Sequence, residues 1–260
     1  MAEPLSSQSG LIAEVRAQTL RVTLNRPQKR NALDRDTLQA LRQVFTRHAV
    51  DKDLKLALLT AAGDKSFAAG GDLKDLDSIR DRAGAEAFAR DAWMALDAVR
   101  HFPVPVVAAL NGTALGGGAE LALSCDLRIA AAHAKIGLVQ GRLNISTAWG
   151  GGGDLMRLLG YGRGLEVVAR AEIMDAVKAR GLGLLNAVAV EGADFGKFVE
   201  DYIAAIVWQT PQVMRALKAN ALAERDGLPA AARRDIDVAL FVETWLHPDH
   251  WQAAGKILAK

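Results

Sequence analysis

Apolar and polar residues alternate through LIAEVRAQTLRVTLNRP, with breaks at Ala17–Gln18 and at Pro27. A period of two predicts two short strands joined as a hairpin. The next apolar positions, Leu38, Leu41, Val44 and Phe45, follow helical spacing, and Asp34 or Asp36 is placed to cap the start. LKLALLTAAG is a short apolar run ending in glycine, which predicts a buried strand. The stretch GDKSFAAGGDLKDL reads as a loop, with Asp72 capping a helix that begins near Leu73. A long helix is predicted over Ala85 to Arg100, then a strand in PVPVVAAL, a glycine turn and a helix from about Ala119. LRIAAAH and AKIGL read as strands, and GGGGDLMRLLG as a glycine turn into a helix. LEVVARAEI and MDAVKARGL read as helices, NAVAV as a strand, and the chain turns helical after about Asp194. Strand, helix and glycine-turn units recurring in this way predict α/β layering. The pattern shift divides residues 1–194 from a helical region at 195–260.

Half of the 260 residues are hydrophobic, enough for a sizeable core. The net charge of +2 is interspersed, which argues against a dedicated nucleic-acid surface. The single cysteine, Cys125, excludes an intrachain disulfide framework and a multi-cysteine metal site, and its apolar setting predicts a packed thiol. MAEPLSSQSG carries no signal pattern and no apolar run is long enough to span a bilayer, so a cytoplasmic protein without membrane attachment is expected.

The chemistry concentrates in two glycine turns. In LGGGAEL, Gly116–Gly118 open a helix that carries Glu120; FAAGGDL spans Phe67 to Leu73. Glycine lets a ligand approach the backbone, and the amides at a helix start favour negative charge. Two such amides aimed at one oxygen form an oxyanion hole, although tight packing alone also explains glycine at a strand–helix junction. No Gly-Lys-Ser/Thr follows either turn, G-x-G-x-x-G spacing is absent, and no G-x-S-x-G elbow occurs. The five histidines lack H-E-x-x-H spacing, and HPDH reads as a capped turn, not a metal site.

Four pieces together carry a family resemblance: LNRPQKRNAL, SFAAGGDLKDL, PVVAALNGTALGGGAELALSCDLRIAAAHAKIG and ARGLGLLNAVA. By these the sequence resembles the crotonase (enoyl-CoA hydratase/isomerase) superfamily. The resemblance implies a spiral of ββα units with C-terminal helices supporting a trimer or a dimer of trimers. It implies an acyl-CoA thioester substrate, with coenzyme A present only as part of that substrate and no tightly bound cofactor. The thioester oxygen would sit between the amides of Gly71 and Gly117. Along the coenzyme the resemblance places Arg26, Lys29 and Arg30, together with the loop residues Ala69, Gly71, Asp72 and Leu73; Lys256 and Lys260 are further candidates.

Spacing puts Glu120 within one turn of Gly117, where burial would tune it for proton transfer or where it would simply favour the helix dipole. The resemblance makes it the first of two catalytic glutamates. A gapless match puts Gln140 where the second glutamate belongs, and glutamine accepts no proton at neutral pH. Val139 replaces a proline beside it, and NISTAWGGGGD departs from the family's glycine turn. Three reactions stay open: hydration run by Glu120 with Gln140 holding water, double-bond isomerisation by a single shuttle, and decarboxylation of a malonyl-type thioester. A family member that binds acyl-CoA or RNA without catalysis is the alternative outside enzymes. Trp149 and Tyr161 flank the altered turn; either is a candidate to line the acyl pocket, although an aromatic beside a glycine turn is more often core, and Trp245 and Trp251 are expected in helix or subunit packing.

Overall fold

The computed structural model describes residues 10–259. The first nine residues and Lys260 lie outside that range, and with them part of the N-terminal reading and one of the two terminal lysines.

The hairpin forms from β1 (Leu11–Arg16) and β2 (Thr19–Leu24), paired antiparallel from Leu11↔Leu24 to Arg16↔Thr19. Its turn residues, Ala17 and Gln18, both have positive φ (48° and 59°), the geometry that matches strand twist but ordinarily draws Asn or Gly. Helix α1 (Arg35–His48) follows, capped by Asp34, whose carboxylate accepts from the Thr37 amide.

A repeating path then builds two sheets. Strand β3 (Leu56–Ala61) joins the first sheet, β4 (Ser66–Ala68) the second, and α2 (Leu73–Leu76) and α3 (Arg82–Arg100) return the chain. Strand β5 (Val106–Leu110) again joins the first sheet, β6 (Thr113–Leu115) the second, and α4 (Gly117–Ser124) returns. Strands β7 (Leu127–Ala130) and β8 (Lys135–Gly137) make the third pass, followed by α5 (Gly151–Leu159) and α6 (Tyr161–Arg170). Strand β9 (Met174–Asp175), α7 (Ala176–Gly181) and β10 (Ala187–Val188) finish the two sheets. The first sheet has the order β1-β2-β3-β5-β7-β10 and the second β4-β6-β8-β9. This is the expected spiral of ββα units.

The three-residue strands β4 and β6 lie in stretches that read as loop and glycine turn, because three residues carry too little alternation to register. Helix α3 starts at Arg82 rather than Ala85 because Asp81 caps it through the Gly84 amide. Met174–Asp175 pairs antiparallel with β8 and is strand, not helix; Asp175 then caps α7 through the Lys178 amide.

The main core lies among the helices and sheets, with Phe45 and Phe102 meeting edge to face at 5.1 Å. The opposite face of the first sheet is covered by α8 (Phe195–Val207), whose Val199 and Ile203 pack on Leu56, Leu58, Val107, Ala109 and Ile129. Helices α9 (Pro211–Arg225), α10 (Ala230–Leu246) and α11 (Pro248–Leu258) complete the chain. His247 caps α11 by accepting from the Asp249 amide. Trp245 meets Phe241, His250 and Trp251 in a surface cluster. Tyr161, expected inside, is 74% exposed at the start of α6. Among the described residues no helix is long and apolar enough to cross a membrane, and no group of three or more His, Cys, Asp or Glu residues is placed to hold a metal.

Candidate active site

The second sheet brings the site together. Strands β4, β6 and β8 run parallel and adjacent, so their C-terminal ends lie side by side. From those ends emerge the Ala69–Asp72 loop, the Gly116 turn into α4, and the Leu138–Gln140 segment. Three sequence-distant stretches thus converge at the strand ends where ligands of parallel sheets characteristically bind.

The two glycine loops abut. A Cβ at Gly70 would stand 3.2 Å from the Leu115 carbonyl oxygen and 3.5 Å from the Gly117 amide nitrogen. Gly116 has φ 53° and ψ −122°, a conformation that L side chains rarely adopt. At Gly118 a Cβ would overlap the Ala68 carbonyl, so the first turn of α4 lies directly on β4. The Gly117 amide opens the helix and has no intrahelical partner. Neither it nor the Gly71 amide donates to a group among the described residues.

Glu120 lies in the first turn of α4 with 1% of its surface exposed. Its Oε2 accepts from the amides of Trp149 and Gly151, both at 2.9 Å, and its Oε1 accepts from Gln140 Nε2 at 2.7 Å. Burial raises its pKa, and the hydrogen bonds from Gly151, Trp149 and Gln140 offset part of that rise. Glu120 is therefore no dipole-favouring surface residue. Gln140 is 9% exposed; with its amide nitrogen given to Glu120, its Oε1 is buried without a partner among the described residues. The gapless sequence match thus places Gln140 on the carboxylate it was expected to complement.

The coenzyme-facing set divides. Arg26 and Asp72, expected among those residues, pair with each other in a buried framework. Arg26 donates to Asp72 Oδ2 at 2.9 Å, pairs with Asp34 at 2.7 Å and bonds the Ala32 carbonyl. Asp72 also accepts from the Lys74 amide to cap α2. Burial alone would raise the Asp72 pKa, but Arg26 and Lys29 hold it below the ordinary carboxylate value. Lys29 keeps 53% of its side chain exposed and stands 3.5 Å from Asp72, and the Arg30 side chain is exposed. The Arg30 carbonyl braces the glycine loop, accepting from the Ala69 amide and from Ser66 Oγ. Leu73 is 62% exposed beside them.

Two features depend on contacts between sequence-distant residues. One is Trp149, 6% exposed, whose ring edge lies beside both glycines. A Cβ at Gly117 would overlap that ring, and one at Gly71 would stand 3.7 Å from Cη2. The other is the charge cluster behind it. Arg100 Nη2 donates to the Trp149 carbonyl at 2.6 Å and its Nε to Asp154 Oδ2 at 2.8 Å. Arg225 reaches the other Asp154 oxygen at 2.8 Å, and Lys218 donates to the Arg100 carbonyl and to Asp126. Glu120 and Arg100 lie 29 and 49 residues from Trp149, and Arg100 and Arg225 lie 54 and 71 residues from Asp154, beyond any helix or strand period.

A family model described as Enoyl-CoA hydratase/isomerase matches residues 14–255. A short-chain-enoyl-CoA hydratase from Clostridium acetobutylicum is 33% identical over 243 residues, covering 91% of this chain and 87% of that protein. A crotonyl-CoA hydratase from Syntrophomonas wolfei is 34% identical over 222 residues, covering 85% and 81%. Among solved structures, an enoyl-CoA hydratase from Bacillus anthracis superposes with a TM-score of 0.89 at 26% identity, covering 96% of each chain. DspI from Pseudomonas aeruginosa superposes at 0.90 with 30% identity, covering 100% of this chain and 97% of that one. With its spiral fold, abutting glycine loops and enclosed Glu120, the chain belongs to the enoyl-CoA hydratase/isomerase family of the crotonase superfamily.

Proposed function

We propose that the protein is an enzyme that moves a proton beside the thioester carbonyl of an enoyl-CoA, with Glu120 as its proton carrier. The observation that carries this reading is the Glu120 carboxylate, buried with a raised pKa one turn from the paired glycine loops. The amides of Gly71 and Gly117 would receive the thioester oxygen and stabilise the negative charge it gains in the enolate-like state. Losing one such donor typically costs about 100- to 1,000-fold in rate. Lys29 and Arg30 are exposed cations beside the glycine loop and suit the coenzyme phosphates, with Ala69 and Leu73 flanking them.

Gln140 narrows the chemistry to one carboxylate. For hydration, the water oxygen bonds to C3 while Glu120 takes the water proton and returns it to C2; the free Gln140 Oε1 supplies an acceptor to hold that water. For isomerisation, Glu120 removes a proton at C2 and delivers it at C4, with no water needed. Decarboxylation is the least favoured reading, because a malonyl-type carboxylate would face the Glu120 carboxylate and a bare carbonyl oxygen. Exposed apolar side chains on α10 and α11, Phe241, Trp245 and Trp251 among them, suit contact between copies in a trimer or dimer of trimers.

The test is turnover of crotonyl-CoA, 3-enoyl-CoA and malonyl-CoA esters by wild type and Glu120→Gln, with products identified by mass. Glu120→Gln is expected to lower turnover of an enoyl ester about 100- to 10,000-fold while leaving coenzyme A affinity in place. Equal turnover in the two proteins contradicts the reading, as does activity on the malonyl ester alone.

A further inference from the structure

We infer that Trp149 is the specificity-determining wall of this site and restricts the acyl group to short chains; the inference rests on the thioester reading above. The ring is packed on the site's own backbone. Its benzo edge lies against Gly117, reaches Gly71, and meets the Phe88 ring of α3 edge to face at 5.8 Å. Leu76 of α2 crowds the same spot, 3.0 Å from where a Gly71 Cβ would be. A thioester oxygen shared by the two amides would place its acyl carbons alongside this ring. The carbons nearest the carbonyl turn toward Glu120, and further carbons meet Trp149 with Phe88 and Leu76 around it.

The ring is also held from behind, which makes it a wall and not a swinging lid. The Trp149 amide donates to Glu120 Oε2, its carbonyl accepts from Arg100 Nη2, and Arg100 is fixed in turn by Asp154. Main chain pinned on both sides of the residue leaves only side-chain rotation to clear the space, and Phe88 opposes that rotation. The same arrangement ties selectivity to catalysis, since the residue that blocks a long acyl chain also donates to the proton-carrying carboxylate.

The experiment is calorimetric titration of butyryl-, octanoyl- and dodecanoyl-CoA, saturated esters that are held without turnover, into wild type, Trp149→Phe and Trp149→Ala. Wild type is expected to bind butyryl-CoA at least about tenfold more tightly than dodecanoyl-CoA, the scale on which apolar pockets discriminate. Trp149→Ala is expected to move that ratio by about tenfold or more toward the long esters. Trp149→Phe, which preserves an aromatic contact with Phe88, is expected between the two and serves alone if the alanine variant does not fold. Binding of the esters with the same chain-length ratio in wild type and variants overturns the role of Trp149 and leaves the thioester reading standing. Absence of binding by all three esters in every protein overturns the thioester reading and this inference with it.

Discussion

At Glu120 the two oxygens do different work. Oε2 is fixed by the amides of Trp149 and Gly151, whereas Oε1 accepts from the Gln140 amide group. Glu120→Gln can keep this arrangement: its carbonyl oxygen accepts from the two amides, its nitrogen donates to Gln140, and the Gln140 amide turns over to accept. The variant should therefore fold. It should also change the pH dependence of stability. Because burial raises the native-state pKa of Glu120, its stabilising contribution is fully present below the unfolded-state pKa and is lost as pH rises through the native-state pKa. Denaturant titrations across that interval should show wild type losing stability relative to Glu120→Gln; parallel curves would contradict a raised pKa. Gln140→Glu places two carboxyl groups in hydrogen-bond contact, so they should titrate as a pair. Crotonyl-CoA hydration is expected to rise, and no rise would mean that Gln140 does not stand at the second glutamate's position. Cys125 is a simpler case. Burial pushes its thiol up to about 12, so it should resist alkylation in the native protein and react on unfolding, as mass spectrometry will show.

At the scale of elements, the close approach of α4 to β4 governs the site. Gly118→Ala would drive a methyl group into the Ala68 carbonyl, forcing helix and strand apart. A cost of about 1–3 kcal/mol in thermal unfolding is expected, with a larger proportional loss of activity because Gly117 moves with its helix. Unchanged activity in that variant would argue against Gly117 as an oxyanion donor. These elements also mark what the chain discloses before folding. The hairpin, α1 with Asp34, α2 with Asp72 and the Gly116 turn into α4 announce themselves through period, cap and glycine, all local signals. Glu120 and Gln140 were legible through motif and spacing. Strands β4 and β6 were too short to register. The engagement of Arg26 was hidden because Asp72 lies 46 residues away, and nothing in NRPQKRN separates a buried arginine from an exposed one.

For the whole molecule, the C-terminal helices reach into the spiral. Lys218 of α9 is 2% exposed and holds Asp126, whose Oδ2 also accepts from the Val106 amide of β5. Lys218→Ala removes the nearer cation from that carboxylate and leaves Arg225 at 3.9 Å and the Val106 amide as its partners, so a loss of about 1.5–3 kcal/mol in unfolding is expected. From the sequence Trp149 reads as a pocket or a core aromatic without a choice between them, because its place is set by Arg100, Asp154 and Arg225, contributed by α3, α5 and α9. The account depends most on two amides sharing one oxygen beside Glu120. The direct measurement is a crystal structure with a bound, non-reacting acyl-CoA. The thioester oxygen is predicted within hydrogen-bonding distance of both the Gly71 and Gly117 nitrogens, with the Glu120 carboxylate beside the adjacent acyl carbons. A thioester bound away from those nitrogens, or amides that diverge from it, would contradict the account.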